Sequence, residues 1–127
     1  MARMKDARYL YHLADLPTTM LTGESKTKFI LTEKALISFI ENPAGTEFPT
    51  HKHDAEQILI ILEGSEEHVI GGETIHMEAG DVCVHPSNVE HGGVTKTGFK
   101  GIDIFVPPRE SHVELMRKQG LIVDEKD

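Results

Sequence analysis

Strand signals dominate the pattern of apolar and polar positions. Apolar, β-branched or aromatic clusters occupy residues 29–31, 36–40, 58–62, 69–70, 74–77, 82–84 and 102–106. Turn-forming groups separate them: Asn42-Pro43-Ala44-Gly45, Glu63-Gly64-Ser65, Gly71-Gly72, Ala79-Gly80-Asp81, Pro86-Ser87-Asn88 and Gly92-Gly93. Short strands at a spacing of about 8–12 residues, each pair joined by a turn, predict an all-β sandwich or barrel. Gly71-Gly72 suits a two-residue hairpin, because glycine tolerates positive φ at both positions. Residues 58–62 are apolar on both faces, which predicts a strand in the middle of the fold, covered on both sides.

The two ends read differently. Residues 6–17 carry Tyr9, Leu10, Tyr11 and Leu13 and predict an N-terminal arm, either an edge strand or a dimer contact. Residues 111–119 predict one short helix, with Ser111 as N-cap and Glu114 at capping-box spacing. Gly120 fits its stop. The whole chain, 1–127, reads as one domain with a barrel core over about 27–110, and 127 residues leave no room for a second core.

Composition changes this picture little. The formal charge of −8 and the scattered Lys and Arg residues argue against nucleic acid and anionic membrane surfaces as partners. Residues 58–62 form the longest aliphatic run, far short of a membrane span, so a soluble, cytoplasmic protein is expected. The single cysteine, Cys83, lies within an apolar strand and reads as a buried, inert thiol.

The candidate chemistry lies in three of the eight histidines. His51 and His53 are two apart, and Gln57 has the same parity, so on an extended strand all three project from one face. A bulge between His53 and Gln57 would bring Glu56 into that position, leaving Glu56 as the reserve ligand. A His-x-His pair alone favours ordinary polar strand residues. His85 precedes Pro86 and reads as a structural histidine. His12, His68, His76 and His112 read as surface residues, and Glu66-Glu67 as a solvated turn.

The segment Gly45, five residues, His51-x-His53, three residues, Gln57, six residues, Gly64 resembles the first cupin motif, with Gln in place of its usual Glu. Gly80, five residues, Pro86, then His91 resembles the second motif; Asn88 and Thr95 replace its glycine and its asparagine. The resemblance spans residues 29 to about 109. It implies a double-stranded β-helix (a jelly-roll barrel) binding one divalent metal, Zn, Ni, Fe, Mn or Co, through His51, His53, Gln57 and His91. It also implies a homodimer.

The C-terminal strand, with Asp103, Phe105 and Arg109, resembles that of the pectin-degradation cupins of the KdgF type. Those proteins open the ring of 4,5-unsaturated uronates to linear keto acids. The resemblance assigns pocket roles to Asp103, Phe105 and Arg109. By residue chemistry, a carboxylate between isoleucines needs a partner or a function. Arg109 can hold a substrate carboxylate in two hydrogen bonds. Phe105 is equally a core residue, and Asp103 and Arg109 equally structural or solvated charges. The expected activity is a metal-dependent sugar-acid isomerase acting on a small carboxylate. The alternatives are a cupin dioxygenase, an enzyme resembling the polyketide cyclases, and a non-catalytic small-molecule-binding cupin.

Overall fold

A computed structural model describes residues 1–125. Eleven strands form: β1 (Ala2–Met4), β2 (Thr19–Met20), β3 (Lys26–Leu31), β4 (Leu36–Asn42), β5 (Glu47–His51), β6 (Glu56–Ile70), β7 (Glu73–Glu78), β8 (Val82–His85), β9 (His91–Val94), β10 (Phe99–Val106) and β11 (Ile122–Asp124). One helix, α1 (Glu110–Lys118), follows the barrel. The main sheet runs β2-β3-β4-β10-β6-β9-β5, with β7 and β8 also paired to β6, and every ladder is antiparallel. This curled, all-β arrangement is the expected double-stranded β-helix. No described helix is long and apolar enough to cross a membrane.

The expected strands at 58–62 and 69–70 are one continuous strand, β6. Its first half pairs with β8 and β10, and its second half with β7 and β9. Glu63-Gly64-Ser65 does not turn the chain. Instead the β6–β10 register slips there, from Gly101↔Ile61 to Lys100↔Glu63. Gly64 adopts φ 81°, and a Cβ on it would stand 2.0 Å from the carbonyl oxygen of Gly98. The bulge reverses the side-chain alternation. Gln57, Leu59 and Ile61 point inward before it, and Glu66 and His68 after it. Gly71-Gly72 closes the expected hairpin, with φ of 55° and 82° and Ile70 opposite Glu73.

Two apolar clusters fill the interior. Ile40, Leu59, Ile61, Met77, Cys83 and Phe99 form one. Phe29, Leu36, Phe105, Val113 and Met116 lie in the other, where α1 closes one end of the barrel. The outer face of the sheet is half-buried, not covered. Leu62 is 52% exposed and Val84 53%.

The termini depart from expectation. Residues 6–17 form no strand beyond a short 3-10 turn at Leu13–Asp15, and Tyr9 and Leu10 are exposed; β1 pairs with β11 instead. Helix α1 begins one residue before the expected cap, with Arg109 at the N-cap and no capping side chain. Gly120 ends it at φ 71°, where Gly120 and Leu121 donate to Arg117 and Met116 in a Schellman closure.

Candidate metal centre

The antiparallel ladder of β5 and β9 sets His51 directly opposite His91. His53 follows on the loop into β6, pinned by the Asn88 amide, which donates to the His53 carbonyl at 2.8 Å. Asn88 holds φ 61° where the motif has glycine, a left-handed conformation that asparagine tolerates. Thr95, at the motif's asparagine position, is fully buried; its hydroxyl donates to the Ser65 carbonyl at 2.6 Å. Both departures are thus accommodated locally. The rings of His51 and His91 lie 4.3 Å apart by centroids, and those of His53 and His91 5.0 Å. One ligating atom from each histidine lies within 4.8 Å of the others.

The hydrogen bonds fix which nitrogens face inward. Nδ1–H of His51, His53 and His91 donates to the carbonyls of Pro49, Ala55 and Val89, at 2.8, 2.8 and 3.0 Å. Each Nε2 is therefore a lone pair in the neutral ring, the arrangement that orients metal-binding imidazoles. Nε2 of His91 is buried without a partner among the described residues. Nε2 of His53 faces Oε1 of Gln57 at 3.1 Å. Both are acceptors, so their approach is that of two donors to one cation. Burial lowers the pKa of His91 to about 4 and also lowers that of His53, which keeps both rings neutral. The donor set fits a divalent metal.

Gln57 is held in turn. It lies in register between Phe105 of β10 and His85 of β8, and its Nε2 donates to Oδ1 of Asp103 at 2.7 Å. That bond turns Oε1 toward His53. Glu56, the reserve ligand, is exposed and points away. Burial pushes the Asp103 carboxyl up to about 7, against the opposing effect of the Gln57 hydrogen bond. Such a group can both take and give a proton near neutral pH.

A cavity of about 570 Å³ opens over these groups, lined by His51, Gln57, His91, Asp103, Arg109 and His112 among others. Arg109 is half-buried with its guanidinium 5.6 Å from the Phe105 ring centre, so it is not a solvated loop charge. Phe105 itself is 1% exposed and stands behind His53 and His112 as packing, not as cavity wall. A larger open groove of about 700 Å³ lies by Glu41, Glu63 and Lys100, whose charges pair with one another.

Three residues read from sequence as exposed or solvated, Glu66, His68 and His112, belong to the interior or the cavity, and His85 is the buried structural histidine expected. Glu66 and His68 are buried, turned inward by the bulge. His112 packs between Phe29 and Phe105, and burial, with Arg109 beside it, lowers its pKa to about 3. His85 is fully buried against His91, with ring centroids 4.5 Å apart. The inward parity of His68 is that of Ile70, two residues on, which packs against the apolar cluster while Val69 is exposed.

A jelly-roll barrel carrying a histidine triad at one mouth defines the class of protein. Residues 38–112 match the cupin domain family, and the chain belongs to it. An RmlC-like cupin from Shewanella frigidimarina superposes with a TM-score of 0.79 at 25% identity, covering 86% of this chain and 99% of that one. KdgF from Halomonas sp. superposes with a TM-score of 0.76 at 21% identity, over 82% and 99% of the two chains, a likeness of fold. In sequence, an H2HPP isomerase from Bacillus subtilis is 30% identical over 78 residues, 60% of this chain and 33% of that protein. This chain therefore spans about a third of the length of that relative.

Proposed function

We propose that the protein is a metal-dependent cupin isomerase that opens 4,5-unsaturated uronates to linear keto acids, with the metal held by His51, His53, Gln57 and His91. The observation that carries this reading is the hydrogen bond from Gln57 to Asp103, which sets a carboxyl of near-neutral pKa beside the histidine triad on a cavity wall. The likeness to KdgF in fold and the isomerase activity named for the Bacillus subtilis relative support it.

When bound, a divalent cation supplies Lewis acidity toward a sugar oxygen. Asp103 takes the proton of the anomeric hydroxyl as the bond from C1 to the ring oxygen breaks. The electron pair stays on that oxygen, conjugated with the C4–C5 double bond. Asp103 then returns the proton to C4, leaving an aldehyde at C1 and a ketone at C5, with no atom gained or lost. Arg109 binds the substrate carboxylate. Phe105 supports Arg109 and His53 from behind.

The test is the ultraviolet absorbance of an unsaturated uronate, followed with wild-type protein and with Asp103→Asn, which keeps the side-chain shape. Wild type should bleach the double bond, and the variant should be slower by about 10²–10⁴-fold at unchanged metal content. Metal-loaded wild type that leaves the absorbance unchanged refutes the assignment.

The same reading includes a homodimer. Two apolar rows cross the outer face in register, Ile30-Ile37-Ile104-Ile58-Val84 and Phe39-Ile102-Ile60-Val82. Val82, Val84 and Leu62 are each more than half exposed, which suits a second copy of the chain. A cytoplasmic location accords with an unpaired cysteine.

A further inference from the structure

Inward positions of a small barrel are ordinarily apolar. Here Glu66 and His68 on β6 and Cys83 and His85 on β8 point inward together, at 3%, 4%, 7% and 0% exposure. Ligating atoms of His68, Cys83 and His85 lie within 4.8 Å of one another, separate from those of the triad.

Their hydrogen bonds leave an electrostatic problem. Nδ1 of His85 approaches the Gln57 carbonyl at 3.2 Å; a carbonyl only accepts, so this nitrogen carries the proton and Nε2 is a lone pair. Nδ1 of His68 is hydrogen-bonded to the Glu66 carboxyl. With that nitrogen protonated on a neutral ring, Nε2 of His68 is a second lone pair. The two Nε2 atoms stand 2.7 Å apart. Two lone pairs at that distance repel unless a cation lies between them, either a proton or a metal ion. The thiol beside the pair favours the metal. Sγ of Cys83 stands 3.8 Å from Nε2 of His85, a third donor at a junction where a proton would need only two.

We propose that His68, His85 and Cys83 form a second metal site for a thiophilic ion such as Zn²⁺, with Glu66 orienting His68. Zinc bonds of about 2.0–2.1 Å to nitrogen and 2.3 Å to sulfur at tetrahedral angles place nitrogen pairs about 3.3 Å apart and nitrogen–sulfur pairs about 3.6 Å apart. The histidines must part slightly, and the Cys83 sulfur already stands close to that spacing from His85. Coordination displaces the thiol proton to solvent. The Cys83 thiolate and the Glu66 carboxylate then offset the double positive charge inside the barrel, as a buried ion requires. Acceptors on the outer nitrogens of both histidines match the support seen around bound zinc. The site does not rest on the isomerase reading, because neither its ligands nor its test involve turnover.

The experiment is a titration of metal-free, full-length protein with Co²⁺ under anaerobic conditions, reading near-ultraviolet absorption. Thiolate-to-cobalt charge transfer can come from Cys83 alone, the chain's one cysteine; the triad has no sulfur. Wild type should develop this band, saturating at one equivalent per band-forming site and abolished by excess Zn²⁺. The band should survive in His91→Ala and be lost in Cys83→Ser and in His68→Gln. No band in wild type at saturating cobalt means that a proton alone bridges the pair and overturns the proposal. A band unchanged in His68→Gln overturns the assignment of that ligand. The wild-type result needs no variant to fold.

Discussion

Gly64 and Gly72 form a matched pair for testing the bulge that inverts β6. Their φ angles are 81° and 82°, so alanine meets the same backbone strain at both. At Gly72 a new Cβ finds nothing within 4 Å. At Gly64 it would meet the Gly98 carbonyl oxygen at 2.0 Å and the Phe99 Cα at 2.9 Å, both backbone atoms that no rotamer change can move. Left-handed strain costs about 1–2 kcal/mol. Reduced freedom of the unfolded chain returns about 0.4–1 kcal/mol. Gly72→Ala should therefore cost about 1 kcal/mol. Gly64→Ala adds an overpacking cost of about 1–3 kcal/mol, at its upper end because backbone must give way.

Urea denaturation of both variants measures the difference. With a slope of about 2 kcal/mol per molar urea, the Gly64→Ala midpoint should fall roughly 1 M or more below that of Gly72→Ala. Equal midpoints would falsify the close approach of β6 to the turn before β10, and with it the reason Glu66 and His68 point inward.

His91→Ala removes the buried, unpartnered Nε2 from the triad, so metal stabilisation is read in each protein against its own metal-free form. Mn²⁺, which does not favour thiolates, should stabilise wild type by about 2.7 kcal/mol at roughly 100 times its dissociation constant and the variant not at all, read as melting shifts. His112 gives a pH signature in metal-free protein. Its folded pKa lies near 3 against an ordinary 6.5, so its contribution is present above 6.5 and is lost as pH falls toward 3. His112→Phe should show a shallower acid loss in denaturation midpoints across that window; an unchanged slope refutes the burial. Val84→Lys should halve the mass seen by light scattering if the outer face joins two copies, and a wild-type monomer rejects that interface.

The barrel, its hairpin at Gly71-Gly72 and the triad were legible because they rest on local rules: alternation, turn chemistry and fixed motif spacing. The inward turn of Glu66 and His68 was not. Glu63-Gly64-Ser65 carries the residues of a turn, but glycine there serves a close approach between backbones, which involves a turn 34 residues away at Gly98. His112 was misread for a related reason. Its burial depends on α1 folding back onto Phe29 and Phe105, contacts that no local pattern announces. Arg109 was legible as chemistry and not as position, because its role as N-cap depends on where α1 begins.

The motif's missing glutamate has a structural cause in the neighbouring strand. Asp103 accepts from Gln57 at 2.7 Å, a bond that a carboxylate at position 57 cannot donate. Glutamate there would set two carboxylates in contact, and one would have to hold a proton. Gln57 and Asp103 are therefore a coupled pair. Gln57→Glu alone should destabilise the metal-free protein by about 1–3 kcal/mol at mildly alkaline pH, where both groups must ionise. Adding Asp103→Asn restores a donor facing an acceptor, with the roles exchanged, and should recover most of that loss. Four denaturation curves complete the double-mutant cycle. Additive costs would show that the two side chains do not share this bond. Recovery would mean that the choice of glutamine at the metal centre was made by the carboxyl on β10.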